Sequence, residues 1–475
     1  MSEFHFIGQR IFRLQDQINF AEQSGDFNPI HVDPAYARRS IAGRPVVHGI
    51  HLLLWVLEES LKQGLAIGQP DWIHVQFIRP ASIDETLFCA QEPSDIRDKI
   101  SLLVCNIEGS ELARVDLRSG EPKTFAPINY TTYTAVKPVS RAWAEMCELS
   151  GEWKVFFAND RHVNVWPRIC DVCGSDFAAL LASTSRLVGM QCPGLNSLYS
   201  ELELERAENS EVPLDILRYE VLKADDRFKL VEIGIESTAY NGQIRAFARP
   251  ELREPVAMSN ILKRAPAGLF RNQRALVVGG SRGIGEVAAK ALATSGAEVF
   301  LTYAVGREDA QRVVLEIQNA GAVAACGQLN ILVNNGQSEA IIEAFQPTHL
   351  FYCATPFIFE GRREQFSERL LAHFTKFYVT GFDKLVRLGH AKQLRYAWYP
   401  STVALDEKPA DMREYCAAKL EGERLAASLM QELDNIVIAC PRLPRTATDQ
   451  THSLFAYPSA DPVNVFLSNL PRASQ

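Results

Sequence analysis

The stretch from Arg274 to Gly285 constrains the fold of this chain more than any other. It runs Arg-Ala-Leu-Val-Val and then Gly279-Gly-Ser281-Arg282-Gly283-Ile284-Gly285. A strand ends in a glycine turn, and a helical run, Glu286 to Ser295, follows at once. That order opens a βαβ unit with parallel strands. The next strand is expected over Gly296 to Tyr303 and the next helix over Glu308 to Asn319. Glycines at such a turn let a pyrophosphate approach the backbone, and the helix N-terminus favours its charge. No Asp or Glu ends the second strand at Tyr303, where an acid would hold a ribose hydroxyl pair. Arg282 and Arg307 are nearby instead, which favours NADP(H) over NAD, because a 2′-phosphate needs a cation.

Further along, Tyr415-Cys-Ala-Ala-Lys419 lies on an expected helix, Arg413 to Leu433. The i, i+4 spacing puts phenol and ammonium on one face, and a nearby ammonium should favour phenolate. The strand before it ends Tyr399-Pro400-Ser401-Thr402. Together these residues resemble the short-chain dehydrogenase/reductase family from 274 to about 450. The resemblance implies Tyr415 as the acid and Lys419 as its pKa-lowering, ribose-binding partner. It implies Thr402 as the substrate-orienting hydroxyl, with Ser401 beside it. The expected cofactor cradle is Gly279, Ser281, Arg282, Gly283, Ile284 and Gly285, flanked by Tyr303, Arg307, Ala354 and Lys419. The sequence also departs from the family. Ile331-Leu-Val-Asn-Asn-Gly336 looks like the family's Asn-Asn-Ala-Gly motif but comes one βα unit early. The expected fourth strand is His349 to Thr355. Tyr378 stands where the family often has a relay asparagine. Pro441 to Asp449 replaces the usual Pro-Gly signature.

The densest motif lies near the start: Ser24-Gly25-Asp26-Phe-Asn28-Pro29-Ile-His31, continuing to Ala37. Two tight turns should bring Asp26 and His31 within reach of one water. Such a pair suits hydration: one group takes a proton from water while the other holds or returns one at the acyl chain. The Asp26 charge would keep the imidazole basic and oriented. Val47-His48-Gly49 precedes an apolar run, Ile50 to Leu57, read as a buried helix ending at Glu58-Glu59. Its N-terminal amides could polarise a thioester carbonyl. With Val75 to Pro80, these strings resemble the MaoC-like (R)-specific enoyl-thioester hydratase/dehydratase family across the first segment. The resemblance implies Asp26 and His31 as the catalytic pair, Asn28 in support and the Gly49 amide as oxyanion donor.

Residues from about 150 repeat the element order of the first segment. A helical Phe177 to Ala182 precedes the alternating strand from Leu198, then strands at Ile216–Val221, Phe228–Ile235 and Gln243–Ala248, with turns at Ala224–Asp226 and Tyr240–Gly242. They lack an Asp-x4-His string, so by resemblance they form a non-catalytic half. The expected architecture is multidomain: an α+β double hot-dog followed by an α/β Rossmann-type doubly wound domain. Expected domains span 1–135, 150–260 and 272–475, with linkers at Glu121 to Pro127 and Arg249 to Pro255.

A chain of 475 residues with 47% hydrophobic residues fits several globular domains. A net charge of −8 argues against nucleic acid. The start lacks a secretory pattern and no apolar run is long enough for a bilayer span, so a cytoplasmic protein is expected. The ten cysteines suggest no disulfide framework, and Cys170-x-x-Cys173 lacks the second pair a structural zinc needs. No metal is expected; a homo-oligomer is compatible. The implied partner is an acyl-CoA or acyl carrier protein thioester. Ketoacyl reduction followed by dehydration gives the fusion a chemical rationale. Three other readings stay open: a catabolic hydratase/dehydrogenase, a hydratase with a non-catalytic NADP-binding module, and a sugar-nucleotide enzyme.

Overall fold

The structure is a computed structural model that describes residues 4–94, 96, 98–121, 135–155, 165–208, 210–363, 365–454 and 457–470. The linker expected at Glu121 to Pro127 lies, beyond its first residue, outside them. The chain divides into two compact units, one within Met1–Glu251 and the other within Leu252–His452 and Tyr457–Gln475.

The first unit is built on ten antiparallel strands: β1 (His5–Ile11), β2 (Pro70–Phe77), β3 (Thr86–Glu92), β4 (Lys99–Asn106), β5 (Glu111–Ser119), β6 (Ser150–Lys154), β7 (Ser197–Arg206), β8 (Ile216–Asp225), β9 (Leu230–Glu236) and β10 (Tyr240–Ala248). Their order is β1-β3-β4-β5-β2-β7-β10-β9-β8-β6. Read from each edge inward, the two halves have the same connectivity, 1-3-4-5-2 and 6-8-9-10-7. They join where β2 pairs with β7, setting Ile73 opposite Leu204 and Val75 opposite Leu202. All four side chains are fully buried. This alternation along β2 and β7 puts one face of the sheet in the core and leaves the other to polar residues.

Each half carries one long helix in that core. Gly49–Lys62 is buried nearly all round, from Ile50 to Leu57. A helix apolar on every side belongs in an interior. The sequence reading ends this helix at Glu58-Glu59, but it continues to Lys62. The Glu58 carboxylate is buried because it accepts from the backbone N–H groups of Arg168 (3.3 Å) and Ile169 (3.1 Å), at the start of the helix Pro167–Val172. A charge placed at a helix N-terminus offsets its own desolvation. The second helix, Ser175–Arg186, runs on into a π turn, Leu187–Gln191. The strands β1 and β6 were not read from the sequence, and Tyr240–Gly242 lies inside β10 rather than in a turn.

The second unit holds β11 (Arg274–Val278), β12 (Glu298–Tyr303), β13 (Ala324–Gln328), β14 (His349–Tyr352), β15 (Tyr396–Trp398), β16 (Ser401–Thr402), β17 (Val437–Ala439) and β18 (Arg442–Leu443). Six form a parallel sheet, β13-β12-β11-β14-β15-β17, whose order reverses between β11 and β14. Ligands of open parallel sheets sit at such a reversal, off the C-terminal strand ends. The string Ile331–Gly336 falls in the turns between β13 and the helix Gln337–Phe345, not on a strand.

A buried charge cluster ties two helices of this unit together. Lys290, fully buried, donates to Glu286 (2.7 Å), Glu316 (2.6 Å) and the Val256 carbonyl (2.7 Å). Arg312 bridges the same two glutamates. Removing one member leaves a buried charge under-compensated. Glu286→Ala should therefore destabilise this unit by about 3 kcal/mol, seen as an earlier thermal transition. A loss below about 0.5 kcal/mol would show that the cluster contributes little.

Candidate active sites

The site in the first unit is assembled by three turns. Gly25, at φ 76°, ends the helix Leu14–Ser24. A left-handed residue there lets the chain reverse into Asp26. Asn28 caps the short helix Pro29–Val32 by accepting from the Ile30 N–H, which brings His31 back over Asp26. His48 stands immediately before the helix Gly49–Lys62. Ligating atoms of Asp26, His31 and His48 all lie within 4.8 Å of one another. The expected convergence of Asp26 and His31 is therefore present in the geometry.

How the imidazole is held differs from expectation. His31 Nδ1 donates to the Val46 carbonyl at 2.8 Å, not to Asp26. Because that carbonyl can only accept, Nδ1 carries the proton and Nε2 keeps a lone pair. Burial, with the Arg249 charge adding, pushes His31 down to about 4. The Asp26 carboxylate instead accepts from Ser185 Oγ (2.7 Å) and the Asn28 N–H (3.2 Å). Burial outweighs both bonds and pushes Asp26 up to about 7. The Asp26 charge thus does not keep His31 basic: at 2% exposure the carboxyl pays too much desolvation to hold a firm charge.

The second half reaches into this site. Asn28 Nδ2 donates to the carbonyls of Gly189 (2.9 Å), Gly194 (3.1 Å) and Leu195 (3.2 Å). Ser185 and Gly189, at the end of the second long helix and in its π turn, face Asp26. A Cβ on Gly189 would lie 2.1 Å from Asp26 Oδ1. His48 stacks on His31 at 3.8 Å between ring centroids, and its nitrogens face Gln17 Oε1 (2.9 Å) and the Asp26 carbonyl (3.1 Å). Burial first, then His31 and His51, hold His48 well below its ordinary pKa. Asp26, His31 and His48 are a donor set that could accommodate a divalent metal, which the sequence reading did not name. Their existing bonds to Ser185, Val46, Gln17 and the Asp26 carbonyl suit proton transfer. Sequence reasoning missed Ser185, Gly189 and Arg249, since they carry no local motif. It quoted His48 only as part of a string.

In the second unit, Gly279 (φ 80°) and Gly283 (φ 58°) bend the chain from β11 into the helix Gly283–Thr294. A Cβ on Gly279 would lie 2.9 Å from Ala354 Cα, and one on Gly285 would lie 2.2 Å from the Gly279 carbonyl oxygen. The turn is thus a cradle with no room for side chains. The Gly280 N–H donates to the Thr302 carbonyl at 2.9 Å. Ser281, Arg282 and Ile284 complete the turn, and Arg282 lies 4.0 Å from Asp449. Arg307 Nε donates to the hydroxyl of buried Tyr303 at 3.1 Å.

The Tyr415 and Lys419 side chains are both buried, on the helix Arg413–Glu432. Lys419 Nζ donates to the Pro400 carbonyl at 2.7 Å and lies over the rings of Tyr378 (4.0 Å) and Tyr399 (4.7 Å). Burial lowers Lys419 to about 7. The Tyr415 phenol is pushed up by burial, and the Thr402 hydroxyl pulls it back only in part. The expected lowering by Lys419 is therefore corrected: the ammonium is directed to Pro400 and two aromatic faces, and burial opposes phenolate. Ser401 Oγ donates to Glu423 at 2.5 Å, which leaves Thr402 as the hydroxyl beside Tyr415. Tyr378 sits in a π turn, Lys376–Thr380, with its hydroxyl 2.6 Å from Thr355 Oγ1. Such single π turns are frequent at functional sites.

Because Gly189 has no room for a methyl group, Gly189→Ala should displace Asp26 or open the π turn. The expected loss is about 1–3 kcal/mol in thermal or denaturant unfolding. An unchanged stability would mean that the contact relaxes freely.

The sequence matches the MaoC like domain family over residues 7–105 and the short chain dehydrogenase family over residues 273–348. No curated protein matches the chain. Among solved structures, a short chain dehydrogenase from Burkholderia cenocepacia in complex with NADP is 26% identical, with a TM-score of 0.36, over 38% of this chain and 77% of that one. A 3-oxoacyl (acyl-carrier-protein) reductase from Agrobacterium tumefaciens with NADP bound is 21% identical, with a TM-score of 0.35, over 38% and 73%. An angucycline C-6 ketoreductase with bound NADP is 20% identical, with a TM-score of 0.38, over 42% and 88%. Among the described residues, no helix is long and apolar enough to cross a membrane. The chain joins a MaoC-like dehydratase domain in its N-terminal part to a short-chain dehydrogenase domain in its C-terminal part.

Proposed function

We propose that the chain is a bifunctional enzyme that reduces a 3-ketoacyl thioester with NADPH and interconverts the (R)-3-hydroxyacyl and enoyl thioesters. Residues 1–135 form the hydratase/dehydratase half. Residues 150–260 form a non-catalytic second hot-dog half, and residues 272–475 form the reductase. The observation that carries the reading is the convergence of Asp26, His31 and His48 beside the N-terminus of the helix Gly49–Lys62.

In hydration, the His31 Nε2 lone pair takes a proton from water as the water oxygen attacks the β-carbon. Asp26, as the carboxylic acid, delivers its proton to the α-carbon. The Gly49 N–H is among those a helix leaves without an internal acceptor, so it can receive the thioester oxygen as charge develops there. Asn28 holds the loop to the second half. Dehydration reverses each transfer. The two pKa shifts set the working window. His31 is neutral above about 4 and Asp26 is protonated below about 7. kcat/KM for hydration should therefore fall as pH drops through about 4 and again as it rises through about 7.

For the reductase, NADP(H) fits the residues present, because Gly279 and Gly285 pack against Ala354 and the Gly279 carbonyl too closely for any side chain, which keeps the glycine turn tight at the N-terminus of its helix. Arg282 and Arg307 would take the 2′-phosphate, and Lys419 the ribose. When bound, the nicotinamide supplies the hydride. Tyr415 gives its proton to the ketone oxygen, and Thr402 orients that oxygen. A raised phenol pKa suits a proton donor but slows the return of the proton. That observation also favours a second reading, in which the reductase domain binds NADP(H) without turnover.

The test is turnover of crotonyl-CoA and acetoacetyl-CoA, the latter with NADPH and NADH. Asp26→Asn should reduce hydration by about 100-fold or more and spare reduction. Tyr415→Phe should do the converse. NADPH oxidation absent in the wild type, with NADPH still binding by fluorescence, would select the second reading.

A further inference from the structure

Arg249 follows the last residue of β10 and is only 3% exposed. Its Nε donates to the Ser197 carbonyl and its Nη2 to the Leu195 carbonyl, both at 2.8 Å. Its own N–H donates to the Asn196 carbonyl. These bonds hold the guanidinium plane in place. The Leu195 carbonyl also accepts from Asn28 Nδ2. The guanidinium is thus a near neighbour of the loop that carries Asp26 and His31. Its charge is among those that depress His31.

Among the described residues no carboxylate pairs with Arg249; the neighbour that favours its charge is Tyr36. The buried Tyr36 oxygen faces the guanidinium, and its own proton has no acceptor. A buried cation without a counter-ion is costly, and so is a buried hydroxyl proton without an acceptor. Two such groups side by side, next to the reacting atoms, are what an anionic ligand would satisfy. Arg retains N–H donors beyond the two spent on carbonyls, and a phenol adds one more. The phosphate of a CoA or carrier arm lies a full pantetheine length from the thioester, so the group that reaches Arg249 belongs to the acyl part.

We propose that the first site acts on an acyl thioester bearing a carboxylate near its double bond, received by Arg249 and the Tyr36 hydroxyl. This rests on the hydratase reading above and narrows its substrate class.

The experiment compares hydration of glutaconyl-CoA, trans-2-hexenoyl-CoA, crotonyl-CoA and crotonyl-pantetheine by the full chain. The wild type should favour glutaconyl-CoA over trans-2-hexenoyl-CoA by about tenfold or more in kcat/KM, through a lower KM. Arg249→Gln should abolish that ratio, Arg249→Lys should keep part of it, and Tyr36→Phe should reduce it. The wild-type comparison stands even if a variant folds poorly. No preference in the wild type, or a preference retained by Arg249→Gln, would overturn the inference. So would an Arg249 dependence that separates crotonyl-CoA from crotonyl-pantetheine, since that would assign the cation to the carrier phosphates. Hydration of none of the four would overturn the hydratase reading, and this inference with it.

Discussion

The antiparallel pairing of β2 with β7 is the contact on which the first unit depends. It turns two five-stranded halves into one sheet and leaves only β1 and β6 at the edges. Closing two of the four edges this way protects strands that would otherwise pair with other chains. The pairing also sets the register between the halves, and a one-residue slip would turn either Ile73 and Val75 or Leu202 and Leu204 out of the core. The loop that carries Asp26 and His31 in the first half meets the π turn of the second in that register.

The meeting explains the electrostatics. Asp26 is buried by the second half, which presents Ser185 and the bare backbone of Gly189 to it. Desolvation then outweighs the two hydrogen bonds, and the carboxyl titrates near neutrality rather than near 4. An ordinary surface aspartate would be fully charged at the same pH and useless as a proton donor. His31 is shifted the opposite way by the same burial. Two groups whose environments drive their pKa values apart form a usable acid and base.

Much of this was legible in the residues. The Asp26–Asn28–His31 string carries its own turns, since Gly25 and Pro29 specify the backbone locally, and the glycines from 279 to 285 do the same for the βα turn. Local chemistry of that kind survives without knowledge of the tertiary fold. What was not legible is non-local. Ser185 and Arg249 are far along the chain from Asp26 and His31, so no window of sequence connects them. The direction of Lys419 was missed for a similar reason. The i, i+4 spacing puts it on the Tyr415 face, but Pro400, Tyr378 and Tyr399 decide where its charge points. The end of the helix Gly49–Lys62 was misread because Glu58 looks like a solvent residue until its two backbone donors are known.

The contact between Asp26 and Gly189 has a consequence for how far the two halves can vary. A carboxyl supplied by one half is seated against a bare backbone position in the other, so neither half is free to drift alone. The segment that carries Ser185 and Gly189 could not be trimmed away without opening Asp26 to water. It stands as the wall against which Asp26 is seated, and a substitution at either of the two positions changes the space left to the other.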